Sequence, residues 1–556
     1  MDAVLGCEPP SCSRIVLQPH FELATRPPAD GPQCTAKRFQ TRSTIITRSF
    51  KVLSRSRICP GKYACSIHPL LLSFCSFHSP TMATTNSNAV DPNTPSTTTT
   101  TTTTTNPLHI PEIVAQLGLY LSGTYLINAL LVNHTWYSAL LPSLWLSIQL
   151  PSHWALEHNP HCCPSNDSVR RNCHSIRFLS CLDLLFVDAL IPDCKNLIEL
   201  NLSIISLKTA VILHQNANSL QSLTRQANVR QPRRHIGLQH KLFAAIASLV
   251  RLEHLRLERL QVHRLEGKDF LKTCQRLVSL HLSNFIWNLP DPCTDEFPTI
   301  QQLTLIKNKT TPMQDLEFAA RCPNLKFFRW HTVDSLFETQ LSVVQDLLHT
   351  RLRHLRTVAI PYSALSDEDV AAIITALPAL VNLHARSSEF GRRATQAIVE
   401  FKNGIQELDI CNCGVVSSDM IQAILSTCKD LEAFGGDVFD IQDLPEMEGG
   451  GWACRHLKKM QISIMTSGGK ESRTRDHERM YDQLAKLTEL TVLDLGTTGM
   501  ATRYTYDWME LKLSSGFGRL SPLRGLEDFT VGRVYPPLGE EEREWVREHW
   551  PTAEVH

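Results

Sequence analysis

From Leu197 onward a six-residue pattern, apolar at its first, fourth and sixth positions, returns again and again. Clear instances begin at Leu197, Leu252, Leu277, Ile300, Leu325, Leu355, Leu380, Ile405, Leu457, Leu490 and Leu526, with weaker ones at Leu220 and Leu431. Between Leu252 and Leu457 the intervals are 25, 23, 25, 30, 25, 25, 26 and 26 residues. The alternation inside each pattern is that of a strand with one buried face. The intervening segments are apolar at helical spacing, as in Val370, Ile373, Ile374 and Leu377, in Ala394, Ala397, Ile398 and Phe401, and in Ile421, Ile424, Leu425 and Cys428. Ser366 before Asp367, Glu368 and Asp369, and Ser418 before Asp419, read as N-caps with acidic first turns. Each unit is therefore strand, turn, helix, turn. One unit cannot enclose a core, but stacked units bury the leucines of one against the next, with the strands on the inner side of a curved array.

A period in the twenties with this leucine spacing marks a leucine-rich repeat. The expected fold class is α/β, a leucine-rich-repeat solenoid of strand-turn-helix units over residues 180–535, closed by a C-terminal cap or tail at 536–556. The cysteines follow the pattern. Cys194, Cys274, Cys322, Cys428 and Cys454 each stand three residues before the first apolar position of a motif. Stacking sets such sulfurs in a row instead of around one point, which favours packing over metal binding. Of Cys411 and Cys413, one is expected to pack and the other to face out.

Residues 1–105 lack periodicity and end in a threonine-rich low-complexity stretch, so a disordered tail is expected there. Met82, followed by Ala-Thr-Thr, is an alternative start to Met1. Residues 106–150 hold three short helical patterns. Pro111 opens the first, with Ile113, Val114, Leu117 and Leu121 on one face; Tyr125 to Leu131 forms the second; Asn133 caps a third that carries Trp136, Leu140 and Leu141. Residues 151–179 are expected to be a linker.

The order Ile110-Pro111-Glu112-Ile113, the segment ending at Leu121, Leu131-Val132-Asn133 ahead of Trp136, and Leu144-Trp145 resembles the F-box. The likeness covers about 40 residues, and the Cys-Pro-Asn-Leu type of repeat behind it is similar to the leucine-rich repeats of F-box proteins. Ile110 stands where the family has leucine, and Gly123-Thr124-Tyr125 where an acidic residue before leucine is common. The resemblance implies a substrate-recruiting subunit of a cullin ubiquitin ligase. Ile110, Pro111, Ile113, Leu131, Val132 and Trp136 would face a Skp-type adaptor, and the repeats would hold the target. The alternative is a protein-interaction scaffold whose helices only cap the solenoid.

Lys plus Arg equals Asp plus Glu at 55 each, so no net field points to nucleic acid or to an anionic membrane. No apolar run reaches a membrane-spanning length, no export signal is evident, and a cytoplasmic or nuclear protein is expected. The chain lacks a P-loop and the G-x-G-x-x-G, G-x-S-x-G and H-E-x-x-H motifs, so the expectation is a binding protein without enzymatic activity or cofactor. The cluster His153, His158, His161, Cys162, Cys163, Cys173 and His174 has poor ligand spacing, and no metal is expected. The basic stretch Thr224 to His235 reads first as a solvated loop and second as an anionic docking site. Alternation along the strands points His254, Arg256, His281, Phe327, Arg329, His331, His384 and Arg386 to the inner face, bordered by Glu407 and Asp409, with Trp330 buried. This set is either a basic, histidine-rich site for an acidic or phosphorylated target, its affinity falling as the histidines lose protons, or an ordinary solvated strand face.

Overall fold

The computed structural model describes residues 108, 110–121, 123–150, 166–181, 194–203, 207–226, 236–287, 295–334, 336, 341–401, 404–444, 451–467, 473–496, 507–532 and 535–556. The threonine-rich tail, most of the expected linker and residues 227–235 of the basic stretch lie outside them.

Among the described residues sixteen strands form a single parallel sheet in chain order, from Ser147–Leu150 to Glu554–Val555. A second, two-stranded sheet pairs Gln261–Val262 with Ile286–Trp287. Register is kept from unit to unit: His254 faces Ser279, then Gln302, Phe327, Thr357, Asn382 and Glu407 in succession. The neighbouring inward row, Leu255, Leu280, Leu303, Phe328, Val358, Leu383 and Leu408, is buried throughout. Helices pack behind the strands, among them Ile236–Ala247, Arg264–Cys274, Pro312–Ala320, Asp367–Ala376, Arg392–Phe401 and Ser418–Thr427. Strands stack about 4.8 Å apart and helices about 8–10 Å apart, so the helix layer needs more room per unit than the strand layer in front of it.

The chain leaves the strands by a repeated device. Arg259, Asn284, Lys307, Tyr362, Ser387 and Asn412 all hold positive φ, between 49° and 60°. The amides of five of them, at Arg259, Asn284, Lys307, Tyr362 and Ser387, reach carbonyls of the next unit at 2.7–2.9 Å. The hydrogen bond gained offsets the strain of a left-handed conformation at a residue with a side chain.

The cysteine row is buried at Cys194, Cys274, Cys322, Cys428 and Cys454, none of them in a disulfide. Burial pushes the Cys322 and Cys428 thiols up to about 12 and the Cys454 thiol to about 11. Trp330 is buried, and its indole N–H donates to the Asp315 carboxylate at 3.0 Å.

Several expectations are corrected. The sheet begins at Ser147–Leu150 instead of near residue 180, and the 151–179 segment contributes the helix Asn166–Asn172 and the start of the strand Phe178–Cys181. Residues 536–556 also belong to the array, since Glu554–Val555 pairs with Asp528–Thr530. Cys411 and Cys413 are both buried, because Cys413 turns back to the Ala385 carbonyl at 3.2 Å. Arg225 is no loop residue: it takes an inward place in the strand Ser222–Arg225, its guanidinium against the Glu258 carbonyl, and burial lowers its pKa to about 10. The N-cap of the helix Ser418–Thr427 is Ser417, while the Ser418 hydroxyl accepts from Asp440 N at 2.8 Å.

At the N-terminal end three helices, α1 (Pro111–Gly118), α2 (Gly123–Leu130) and α3 (His134–Leu144), pack together. Pro111 opens α1, and the Asn133 side chain caps α3 by accepting from Trp136 N at 2.9 Å. The buried residues of α1 are Val114 and Gly118; Ile113 and Leu117, read on one face with Val114, are exposed. Gly118 explains the rotation. A Cβ there would stand 2.7 Å from Leu140 Cδ2 and 2.9 Å from Ser143 Oγ, so α1 meets α3 through its glycine. After α3 the buried Trp145 leads directly into the first strand, and the Leu146 carbonyl accepts from both Arg177 N and Phe178 N at 3.0 Å.

Candidate functional site: the strand face and the N-terminal helical surface

All ten residues expected on the inner face lie at outward positions of their strands or just beyond them, half-buried or exposed. They do not form one basic surface. The strand Thr357–Ala359 separates Phe327, Arg329 and His331 from His384 and Arg386 by the uncharged pair Thr357 and Ala359. On the first side Arg256 is held by Glu258, with Nη2 2.7 Å and Nε 3.0 Å from the same carboxylate oxygen. On the second side Arg386 donates to Asp409 at 3.0 Å and to Gln461 at 2.8 Å, and His384 stands 3.7 Å from Glu407. The acidic border is thus the partner of the basic residues beside it.

At His281 and His331 the protonated form is disfavoured, so these two are not cationic anchors near neutral pH. Burial, with Arg256 and Arg329 nearby, lowers the His281 pKa to about 4. Burial, together with Lys307 and Arg329, also depresses His331. A loss of affinity at the ordinary imidazole pKa therefore has no source at these two positions. Arg329 is the guanidinium of the set that has no carboxylate partner among the described residues.

Further along, the face forms a hollow of about 350 Å³ over Gly435. The small residues Ala433 and Gly435 supply its floor, and a Cβ on Gly435 would come within 3.0 Å of Asp409 Oδ1 and Cys411 Sγ. Around it runs a continuous polar chain: Arg386 to Gln461, then Gln461 to Asp494 at 3.0 Å, with Asp494 also accepting from Gly496 N at 2.7 Å. Such a chain fixes each side chain and leaves little free hydrogen-bonding capacity.

The N-terminal helices present the other candidate surface. Leu131 and Val132, between α2 and α3, are 70% and 60% exposed, and Ile113, Leu117, Leu119 and Tyr120 are exposed along and after α1. Pro111 is exposed and Ile110 half-buried. Trp136 differs from the rest of its predicted set. It is half-buried, packs against the core, and donates its indole N–H to the Leu108 carbonyl at 2.9 Å, so part of its role is to hold the module itself.

No protein-family model matches the chain, and no curated protein is similar to it. Among solved structures an internalin from Listeria monocytogenes is similar at 12% identity, covering 72% of this chain and 92% of that one, with a TM-score of 0.33. The leucine-rich-repeat character rests on the register and burial described above.

Among the described residues no group of three His, Cys, Asp or Glu side chains is placed to hold a metal ion, and no helix is long and apolar enough to cross a membrane. Of the histidine- and cysteine-rich cluster, His153 to Cys163 lie outside the described residues, and Cys173 and His174 sit in a short 3-10 turn. The hollow over Gly435 escaped the sequence reading although its signal was present: the motifs at Leu431, Leu457 and Leu490 place Gly435, Gln461 and Asp494 at the same outward positions by the same alternation. That Ala433 and Gly435 open space for a polar network depends on side chains 75 residues apart.

Proposed function

We propose that this chain is the substrate-recognition subunit of an SCF-type ubiquitin ligase, its N-terminal helices docking on a Skp-type adaptor and its repeats holding the target. The observation that carries the reading is the group of exposed apolar residues on the helical module, Ile113 and Leu117 on α1 and Leu131 and Val132 between α2 and α3. A module of about 45 residues with so much uncovered apolar surface is marginal alone and gains from a partner. In this role the chain makes and breaks no bond; it raises the effective concentration of the target beside a transferase carried by other subunits.

A second reading is supported by the direct run from α3 and Trp145 into the first strand. That continuity is what an N-terminal cap requires, and the chain would then be a repeat scaffold unconnected with ubiquitination. Co-purification with a Skp-type adaptor separates the two. Because Trp136 also supports the module, the informative variant is Leu131→Asp with Val132→Asp, at positions that pack little on the chain itself. The expected result is loss of adaptor capture with an unchanged melting temperature. Undiminished capture by this variant, or none by the unaltered chain, removes the ligase assignment and leaves the scaffold.

A further inference from the structure

We infer that the rim where the strands begin carries a docking cleft for a carboxylate-rich segment of a partner protein, centred on Lys326 and Arg356. The inference rests on the repeats being a protein-binding array and not on the adaptor. One residue at the entry of each strand forms a row along this rim. The amide of Lys326 donates to the Gln301 carbonyl at 2.9 Å, Arg356 to Lys326 at 3.0 Å, Val381 to Arg356 at 2.8 Å, and further along Lys458 to Glu432 at 2.7 Å. Residues adjacent in the row are neighbours across strands, about 4.8 Å apart, where like charges repel and opposite charges attract.

The row shows both cases. Lys458 and Glu432 are opposite in sign and pair at 2.7 Å. Lys326 and Arg356 are alike, and neither has a carboxylate partner among the described residues: the Lys326 ammonium donates to the Gln301 side-chain oxygen at 3.1 Å, and the Arg356 guanidinium has no side-chain partner there. They line a cleft of about 570 Å³ with Pro298, Gln301, Asn324 and His354, and no acidic residue. Arg329, also without a carboxylate, extends the positive charge along the strand from Lys326 onto the inner face, beside the half-buried Phe327. This part of the array leaves its positive charge uncompensated.

The geometry favours a run of carboxylates over a single phosphate. A phosphate site gathers backbone N–H groups onto one point, usually at a helix N-terminus or a nest of successive amides. Here the amides of Lys326 and Arg356 are consumed by the strand ladder, and the cations are strung along neighbouring strands. Spaced charges suit spaced anions, and an arginine can take a carboxylate in a forked, two-point contact.

The test measures binding of the full chain, without any adaptor, to three synthetic peptides. One alternates glutamate and serine, the second has glutamine for glutamate, and the third has one phosphoserine in neutral flanks. The glutamate peptide should bind at least about tenfold more tightly than the glutamine peptide, weaken steeply with salt, and lose about tenfold in Lys326→Ala or Arg356→Ala. Lys458→Ala, on the same rim, should bind as the unaltered chain does. Arg356→Glu, which gives Lys326 a neighbour of the kind Lys458 has, should abolish the preference with the melting temperature kept. Equal binding of the glutamate and glutamine peptides, retention of the preference in a folded Arg356→Glu chain, or tighter binding of the phosphoserine peptide would overturn the inference. Adaptor capture is measured separately, so either reading can fail without the other.

Discussion

Asp367 belongs to one helix and caps the next. From the first turn of the helix Asp367–Ala376 its carboxylate accepts from Gly391 N at 2.8 Å and Ala394 N at 2.9 Å through Oδ1, and from Arg393 N at 2.8 Å through Oδ2. The receiving helix, Arg392–Phe401, opens on two arginines and has no acidic residue of its own in its first turn. Its N-terminal amides and dipole therefore depend on an anion borrowed from the preceding repeat. Hydrogen bonds to a charged group contribute about 1.5–3 kcal/mol each when water is excluded, but Asp367 is half-buried and Arg393 exposed, so water takes over part of the loss. Asp367→Ala should then cost about 2–3 kcal/mol. Asp367→Asn keeps an oxygen for Gly391 and Ala394 and loses the bond to Arg393, which places its cost near 1 kcal/mol. Because repeats are coupled to their neighbours, the damage should be local. Amide hydrogen exchange should accelerate across 392–401 well before it does in the first strands, alongside a lower midpoint in urea. A loss under about 0.5 kcal/mol for the alanine variant, or unchanged exchange in that helix, would refute the cap.

Two further outcomes follow from buried groups. Burial raises the Asp315 carboxyl from 3.8 to about 6, against the opposing hydrogen bonds from Thr310 and Trp330. Its protonated form is thus favoured on folding, the stabilisation being complete below pH 3.8 and lost as pH rises through about 6. A shift of this size corresponds to about 3 kcal/mol at most, so Asp315→Asn should flatten the stability profile between pH 4 and 7 in urea melts, and an unaltered slope would contradict the assignment. Gly118→Ala should push α1 off Leu140 and cost about 1–3 kcal/mol in the N-terminal module, read as protease sensitivity near 118 with the repeats intact; a fully resistant variant would mean that α1 can shift at no cost.

The repeats were legible because their determinant is one-dimensional. Leucines at fixed spacing state the strand, its buried side and the period together, and the cysteine row follows from the same register. The ends were less legible for a related reason. Ser147–Leu150 and Phe178–Cys181 lie outside any run of evenly spaced leucine motifs, so only pairing with the next strand reveals them as members of the sheet. The helix α1 misled in a different way. Its apolar residues surround most of its circumference, and the face that packs is chosen by Gly118, whose absent side chain, and not any apolar one, lets α3 approach.

Charge was the least legible layer. Alternation places Arg256, Arg329 and Arg386 alike on the inner face, yet one is tied to Glu258 two residues on, one to Asp409 in the next repeat, and one to no carboxylate among the described residues. The sequence shows which charges share a face; the cross-strand register decides which cancel. For Arg386 and Asp409 the partners are 23 residues apart, close to one repeat, so a charge and its opposite at one repeat's separation form a pair within the array and present little field to a ligand. Two like charges at that separation cannot cancel. Lys326 and Arg356, 30 residues apart across the longest interval of the central repeats, are such a pair, and a residual field of this kind is what an arriving partner can use.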